Sequence, residues 1–298
     1  MNQERTQSGE ISLRFVGSII KSKARRILIY SILVILISSI FSIFIPNKYS
    51  SSSTLSPNKD NQSLEKTNFS DLGNITSLIG VGQGVGSSVS NFQIALEKIK
   101  SRDFIEKFIN YGEMKLKLLF ALRWNPAKEN FEYNLDMYDP LNSSWKVKIP
   151  SDYEIFKDFK KNLTITKKSN SGLVEISFKS KSPHLSQDVV ENMIFLINDV
   201  MSSEALNKAA TNLTFLNKEI NNQQNIQTKN AISRLMEIQL QKKMIASNNK
   251  NYIFDVVSPP LIAEEKSSPW KLGIIISSLF IFNFLYIFYH IFLFTLKK

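Results

Sequence analysis

A run of alternating glycines, GVGQGVG from Gly80 to Gly86, is the first stretch whose composition could support chemistry. Glycine-rich loops bind phosphate through backbone N–H groups, but the dinucleotide fingerprint needs G-x-G-x-x-G and the P-loop ends in Gly-Lys-Ser/Thr. Here the spacing is G-x-G-x-G-x-G, no lysine follows, and no clear strand precedes the run. The sequence therefore predicts a flexible or closely packed loop. A backbone contact with an anionic or hydroxyl-rich ligand is the remaining functional alternative.

A pair of carboxylates, Asp136 and Asp139 in the stretch NLDMYDPLN, is the second candidate. Inverting glycosidases hold two catalytic carboxyl groups about 6.5–9.5 Å apart. Aspartates in a stretch rich in Asn and Pro are more often turn formers, because their side chains bond to nearby backbone groups. We therefore interpret the pair as a turn.

The two histidines, His184 and His290, are the remaining candidates for acid–base or metal chemistry. Neither has a second histidine or a cysteine three or four residues away, so the spacing does not predict a zinc site. The chain has no cysteine, which excludes thiolate ligands and thiol nucleophiles. The sequence thus predicts no catalytic, cofactor-binding or metal-binding residue and a protein that is not an enzyme.

Two long apolar runs lie near the ends of the chain. The first, Ile27 to Ile45, has no charged residue, and the second, Leu272 to Leu296, follows Pro269. About 20 apolar residues are enough for a helix to cross ~30 Å of hydrocarbon. We therefore predict two membrane-spanning helices. A cleaved signal peptide is the alternative for the first run, but its apolar core exceeds the usual ~7–15 residues and no A-x-A-like site precedes Pro46.

The basic flanks of these runs predict their orientation. Residues 1–26 carry six basic and two acidic side chains, and the chain ends in Lys297 and Lys298. Short basic flanks stay in the cytoplasm, whereas long segments cross largely regardless of charge. We predict a cytoplasmic segment at 1–26, helices at 27–46 and 271–296, an outer domain at 47–270 and a cytoplasmic tail at 297–298. The net charge of +11 then reflects topology and attraction to anionic lipid rather than nucleic-acid binding.

The outer segment shows both helical and strand periodicity, which predicts an α+β domain. Lys48 to Leu55 is extended in pattern, and Asn91 to Tyr111 places apolar residues at helical spacing. Leu163 to Lys168 and Leu173 to Lys179 alternate apolar and polar residues around Gly172, which is typical of a hairpin with a positive φ at the glycine.

A long helical region is predicted to begin at Ser182-Pro183 and to be interrupted by the polar tract at residues 221–230. Its length suggests an elongated domain, and its apolar stripe could face a neighbouring subunit. Tyr252 to Val257 is rich in strand formers and ends before Pro259-Pro260. Because proline neither continues a helix nor donates to a strand, the proline-rich segment before the second membrane helix should form a stiff extended strut.

Two polar residues in the second apolar run, Asn283 and His290, lie seven positions apart and so share nearly one helix face. Polar groups in lipid usually turn towards protein. One expectation is that these two residues form a contact face for sister subunits or for a membrane partner. The other is that His290 simply lies near the cytoplasmic interface. In the first case, Asn283→Leu should weaken the association.

Three stretches of the sequence resemble the bacterial chain-length determinants, or Wzz-type polysaccharide co-polymerases. Ala95 to Ile109 is similar to that family's A-L-x-x-L-x-S-R-x-F helix, and Leu235 to Pro260 looks like its descending helix and returning strand. The proline-rich entry to the second membrane helix is similar as well, and WNP from Trp124 to Pro126 and the hairpin follow the usual order. The motif and assembly candidates taken from these stretches and from the membrane helix are Ser101, Arg102, Phe104, Pro259, Pro260, Pro269, Gly273 and Asn283.

The resemblance implies a non-enzymatic, multi-pass protein of the bacterial inner membrane whose large middle domain is periplasmic. Family members form homo-oligomeric rings, commonly octamers, act with a Wzy-type polymerase on lipid-linked polysaccharide, and set the chain length of lipopolysaccharide O-antigen. Enterobacterial common antigen, capsule and exopolysaccharide are alternative products.

Two features of this sequence depart from the family pattern and change what the resemblance implies. Ala263 stands where the family often has another proline, which should loosen the strut, and the chain stops at Lys298 without the P-loop of the tyrosine-kinase branch. The alternatives from other functional classes are a periplasmic sensor and a glycan-hydrolysing membrane protein. The sensor would need a cytoplasmic output module, and the hydrolase would use Asp136 and Asp139.

Overall fold

The structure, a computed structural model, describes residues 13–59 and 90–296, except residues 126, 129, 140, 141, 143, 170 and 249. The glycine run at Gly80 to Gly86 lies outside the described residues. In chain order the elements are α1 Leu13–Phe44, β1 Lys48–Pro57, α2 Asn91–Lys100, α3 Arg102–Ile109, α4 Met114–Phe120, β2 Ala121–Asn125, β3 Asn130–Tyr133, β4 Tyr138–Asp139, β5 Ser144–Trp145, α5 Asp152–Asn162, β6 Leu163–Lys167, β7 Val174–Ser180, α6 Pro183–Asn222, α7 Ile226–Asn248, β8 Phe254–Ser258, β9 Lys266–Ser268 and α8 Lys271–Leu296.

The chain divides into two compact units. One comprises Met1–Asn47 and Lys266–Lys298 and is called here the terminal-helix unit; the other, Lys48–Glu265, is the middle domain. The predicted mixture of helices and strands with one long helix is confirmed by the 40-residue α6 and the surrounding sheet.

The middle domain is built around antiparallel strands in the order β6-β7-β1-β8. The predicted hairpin is confirmed: β6 pairs with β7, and Gly172 in the connection has φ of 68°. β1 lies between β7 and β8, which are more than 100 residues later in the chain. The strand continues two residues beyond the stretch predicted to be extended, Lys48 to Leu55, because Pro57 is its last residue and pairs with Phe254.

One face of this sheet carries the core. Burial alternates along β7, where Val174, Ile176 and Phe178 are buried. Alternation of this kind is expected when one face of a strand packs against helices. The phenyl rings of Phe159 in α5 and Phe178 lie 4.7 Å apart between centroids, and those of Phe92 in α2 and Phe254 in β8 lie 5.2 Å apart. The buried side of α6 completes the core.

The single helix predicted from Asn91 to Tyr111 is in fact two helices. The backbone at Ser101 has φ of −70° and ψ of 150°, so α2 ends at Lys100 and α3 begins at Arg102. The apolar positions change phase at this break. In a continuous helix with 3.6 residues per turn, the second set of apolar residues would lie on nearly the opposite side from the first; the sets are Phe92, Ala95, Leu96 and Ile99, and Phe104, Ile105, Phe108 and Ile109. This change of phase and a serine that can cap a new helix are the signals in the sequence for two helices.

The interruption predicted in the long helical region is confirmed, but it is shorter than the polar tract. The helix continues through most of the polar tract, and only residues 223–225 separate α6 from α7. The two helices run antiparallel, since Ser202 Oγ donates to the Ala246 carbonyl at 2.7 Å and Asn212 Nδ2 donates to Gln239 Oε1 at 3.1 Å. The side chain of Asn225 caps the start of α7, since its Oδ1 accepts from Gln227 N at 2.8 Å.

Two helices of the terminal-helix unit are long and apolar enough to cross a membrane: Lys23–Phe44 in α1 and Lys271–Phe292 in α8, each 22 residues. At 1.5 Å per residue each stretch is about 33 Å long, which matches the hydrocarbon thickness.

Candidate functional site

Ser101 joins two helices and caps both of them. Its hydroxyl donates to the Lys98 carbonyl at 2.6 Å at the end of α2, and it accepts from Phe104 N at 3.3 Å at the start of α3. Such a serine satisfies backbone groups that have no partner inside either helix. The serine of the S-R-x-F motif therefore has a local structural role.

The next two motif residues point in different directions. Phe104 is 2% exposed and belongs to the core, whereas the side chain of Arg102 is 59% exposed. The Arg102 guanidinium donates to Glu106 Oε1 at 2.6 Å and lies 5.1 Å from the centre of the Tyr153 ring. Of the three residues, only Arg102 presents its charge to solvent and is available to a partner.

The double proline follows β8, and side chains hold it to the sheet. Pro259 is exposed and Pro260 is buried. Two buried serines of β1 donate to carbonyls around the prolines, Ser53 Oγ to Ser258 at 2.8 Å and Ser51 Oγ to Leu261 at 2.7 Å. Because proline has no N–H for a strand ladder, these hydroxyl groups bind the segment where regular pairing ends. Two serines of the KYSSSSTL stretch thus hold the proline segment to the sheet, a role that was not predicted from their small size.

Asn198, on the buried side of α6, was not identified from the sequence. It is 2% exposed, and its Oδ1 accepts from Ile253 N at 2.8 Å and from Phe254 N at 3.0 Å. Its Nδ2 donates to the Phe254 carbonyl at 3.3 Å. The amide thereby fixes the start of β8 to the long helix. The one signal in the sequence is an asparagine directly after Ile197 in an otherwise apolar stripe.

Pro269 and Gly273 lie at the start of α8. The Ser268–Pro269 peptide bond is cis. A Cβ on Gly273 would lie 2.2 Å from Cε3 of Trp270. Glycine is therefore required for the indole to lie over the first turn of the helix, and a larger residue would displace the ring.

Polar side chains connect α1 and α8 along their length. Ser31 Oγ donates to Asn283 Oδ1 at 3.3 Å, Ser278 Oγ donates to Ser38 Oγ at 3.0 Å, and Lys23 Nζ lies 3.3 Å from His290 Nδ1. Residue numbers rise in one helix as they fall in the other, so the pair is antiparallel. Asn283 and His290 share a face, as predicted, but this face contacts the other terminal helix of the same chain. Their use in contacts between subunits stays a prediction.

A cysteine pair at Ser38 and Ser278 should test this arrangement, because the chain has no native cysteine. A disulfide needs two side chains that face each other closely, and the Oγ atoms of Ser38 and Ser278 are in direct contact at 3.0 Å. We expect Ser38→Cys with Ser278→Cys to give an oxidised monomer of altered gel mobility in native membranes. Ser38→Cys with Ser277→Cys, whose second residue is exposed, is the control. Cross-linked dimers without the monomer band would contradict the pairing.

The candidates for catalysis and metal binding lie apart from these contacts. Asp136 N donates to Asn134 Oδ1 at 3.0 Å in a turn, and Asp139 in β4 accepts from Asn142 Nδ2 at 2.9 Å. The His184 ring stacks on Trp124, with 5.1 Å between centroids. Within the described residues, no group of three or more His, Asp or Glu side chains could hold a metal ion.

Comparison with known proteins adds a family match. The family model of the chain length determinant protein, Wzz, matches residues 9–111, about a third of the chain. No curated protein matches. Two solved structures are similar. A fragment of WzzB, a polysaccharide co-polymerase from Salmonella Typhimurium, is 15% identical over 74% of this chain and 100% of that chain, with a TM-score of 0.33. A full-length bacterial polysaccharide co-polymerase is 11% identical over 91% of this chain and 93% of that chain, with a TM-score of 0.35. Both scores are low, so neither superposition carries an argument about the fold.

The matched residues include α1, β1, α2 and α3, and with them the A-L-x-x-I-x-S-R-x-F stretch whose capping and packing are described above. The sequence resemblance to chain length determinants is thereby confirmed over residues 9–111.

Proposed function

We propose that this protein controls the chain length of a bacterial surface polysaccharide, in the first instance lipopolysaccharide O-antigen. The observation that carries the proposal is the match to the chain length determinant family over residues 9–111. Enterobacterial common antigen, capsule or exopolysaccharide are products of the same kind and would need no different arrangement of this chain.

The proposed location is the inner membrane, with residues 47–270 in the periplasm and both ends in the cytoplasm. The antiparallel pairing of α1 with α8 supports it, because Lys23 and His290 bring the start of one apolar stretch to the end of the other. Both chain ends then leave the bilayer on one side. The basic residues of the 1–26 segment favour the cytoplasmic side.

The proposed working form is a homo-oligomeric ring, an octamer if it resembles the family. Large apolar side chains on α6 and α7 are exposed: Phe215 by 61%, Leu240 by 54% and Met244 by 57%. Leu240 and Met244 lie four residues apart and so share one face of α7, and a contiguous apolar patch on a surface is typical of an interaction site. Association with neighbouring subunits would remove them from water.

The proposed mechanism is scaffolding without catalysis. The ring holds a Wzy-type polymerase, or the growing lipid-linked polysaccharide, near its wall, and its geometry biases when extension stops. The two membrane helices offer a lateral contact for the polymerase, and the middle domain offers the surface along which a chain can extend.

Deleting the gene should broaden or shift the length distribution of the surface glycan, because extension would lose the scaffold that biases its end. The measurement is the glycan ladder on a gel from the null strain, and the control is the same strain complemented with this chain. A ladder that is unaltered by the deletion would refute the proposed function.

A further inference from the structure

A cleft of about 380 Å³ opens in the middle domain between α4, β3 and α6, and its lining includes Trp124, the first residue of the WNP stretch, and His184. Its volume is in the range of small-molecule sites, about 300–1,000 Å³. Aromatic, amide and carboxylate side chains line it, among them Glu113, Trp124, Asn130, Tyr133, Asp188 and Glu191.

Aromatic rings contact one another in the cleft. The Trp124 indole stacks with the His184 ring, at 5.1 Å between centroids and an interplanar angle of 21°, and lies nearly perpendicular to the Phe131 ring, at 5.0 Å and 75°. Burial, with a smaller contribution from Glu113, raises the pKa of Tyr133 to about 12. Its hydroxyl group therefore stays a hydrogen-bond donor at neutral pH.

The Lys117 side chain already occupies the position in the cleft that a cationic ligand would take. Lys117 Nζ lies 5.5 Å from the centre of the Phe131 ring and donates to Asp188 Oδ2 at 2.7 Å. This pair is neutral as a whole. The carboxylates of Glu113 and Glu191 then leave the cleft negatively charged, which disfavours phosphates and acidic sugars.

We propose that this cleft binds a neutral oligosaccharide through one or two pyranose rings. The C–H face of a pyranose packs on an aromatic surface, and its hydroxyl groups bond to carboxylate and amide side chains, which are the groups present here. The inference rests on the proposed function, since it identifies a place where a polysaccharide touches the chain.

The test is ligand-observed saturation-transfer NMR on the full-length protein in a detergent without a sugar headgroup. The neutral probes are maltohexaose, cellohexaose and N-acetylchitohexaose, and hexagalacturonate is the acidic probe. We expect saturation transfer to at least one neutral hexasaccharide and none to hexagalacturonate. The inference is overturned if no neutral probe binds up to about 10 mM, a concentration at which even weak sites are occupied, or if hexagalacturonate binds equally well.

Three variants locate the binding. Asn130→Ala, at an exposed position, should weaken binding of the neutral probe about threefold to tenfold, the loss expected for one hydrogen bond. The double variant Glu113→Gln with Glu191→Gln removes two charges and keeps the shape, so hexagalacturonate should now bind. Glu237→Gln, exposed on α7, is the control and should change neither. Unchanged binding in both cleft variants would overturn the assignment.

The two proposals fail separately. Binding that is absent while the null strain shows an altered glycan ladder removes the cleft assignment and leaves chain-length control intact. An unaltered ladder in the null strain removes chain-length control, while the binding measurement still decides whether the cleft takes a saccharide.

Discussion

Replacing Asn198 by alanine is expected to destabilise the middle domain by roughly 2–4 kcal/mol, because two buried backbone N–H groups lose their acceptor. These are Ile253 N and Phe254 N, 2.8 Å and 3.0 Å from Asn198 Oδ1. The loss has a local signature as well. The two amides should exchange hydrogen faster in the variant, as the start of β8 loses its attachment to α6. Urea unfolding of the full-length protein in detergent and hydrogen exchange measure the two effects.

Asn207→Ala is the matched control for this change. Asn207 lies on the same helix and is exposed, so the control gains the same helix propensity, about 0.5 kcal/mol, and loses no buried contact. Equal free energies of unfolding for the two variants, with protection at Ile253 and Phe254 unchanged, would show that the buried amide does not hold β8.

Truncating Phe104 to alanine should lower the free energy of unfolding by roughly 3–5 kcal/mol, the range for a buried phenylalanine that leaves a cavity. The ring is 2% exposed and packs in the same core as Ile105 and Phe108, which are fully buried. The S-R-x-F motif would then be needed for folding before it is needed for any contact between subunits. Denaturant unfolding of the full-length protein measures the effect.

Two controls separate the parts of this motif. Phe195→Ala makes the same chemical change at a site that is 54% exposed and outside the proposed subunit contact, and it should cost far less. Arg102→Ala should leave stability nearly unchanged, because an exposed ion pair contributes little. An Arg102→Ala protein that is stable but gives an altered glycan ladder would assign a role in assembly to Arg102. A stable Phe104→Ala protein would contradict the packing argument.

Features with a strong local cause were predicted correctly from the sequence. The hairpin of β6 and β7 follows from strict alternation around Gly172, and the long helix follows from an apolar stripe that begins at a proline. The apolar runs at both ends gave the two helices that can span a membrane. In each of these segments, periodicity and terminal residues indicate the same structure.

The differences from prediction lie at helix boundaries. Between Asn91 and Tyr111 the density of apolar residues suggested one helix, but their phase changes at Ser101, whose side chain caps a second helix. The interruption predicted at residues 221–230 is confirmed, but it is only three residues long, because backbone hydrogen bonds tolerate polar residues and the helix continues to Asn222.

For the candidate residues, too, some properties follow from the sequence and others only from the tertiary structure. The sequence by itself determined the class of the molecule: apolar ends, a cysteine-free α+β middle and motifs that resemble chain length determinants. Only the tertiary structure decided which partners those residues have, because each partnership joins positions far apart in the chain. Asn198 meets Ile253, Ser51 meets Leu261, and Asn283 meets Ser31. A buried polar side chain is stabilised by the group that the fold brings to it, and residue type and spacing do not specify that group.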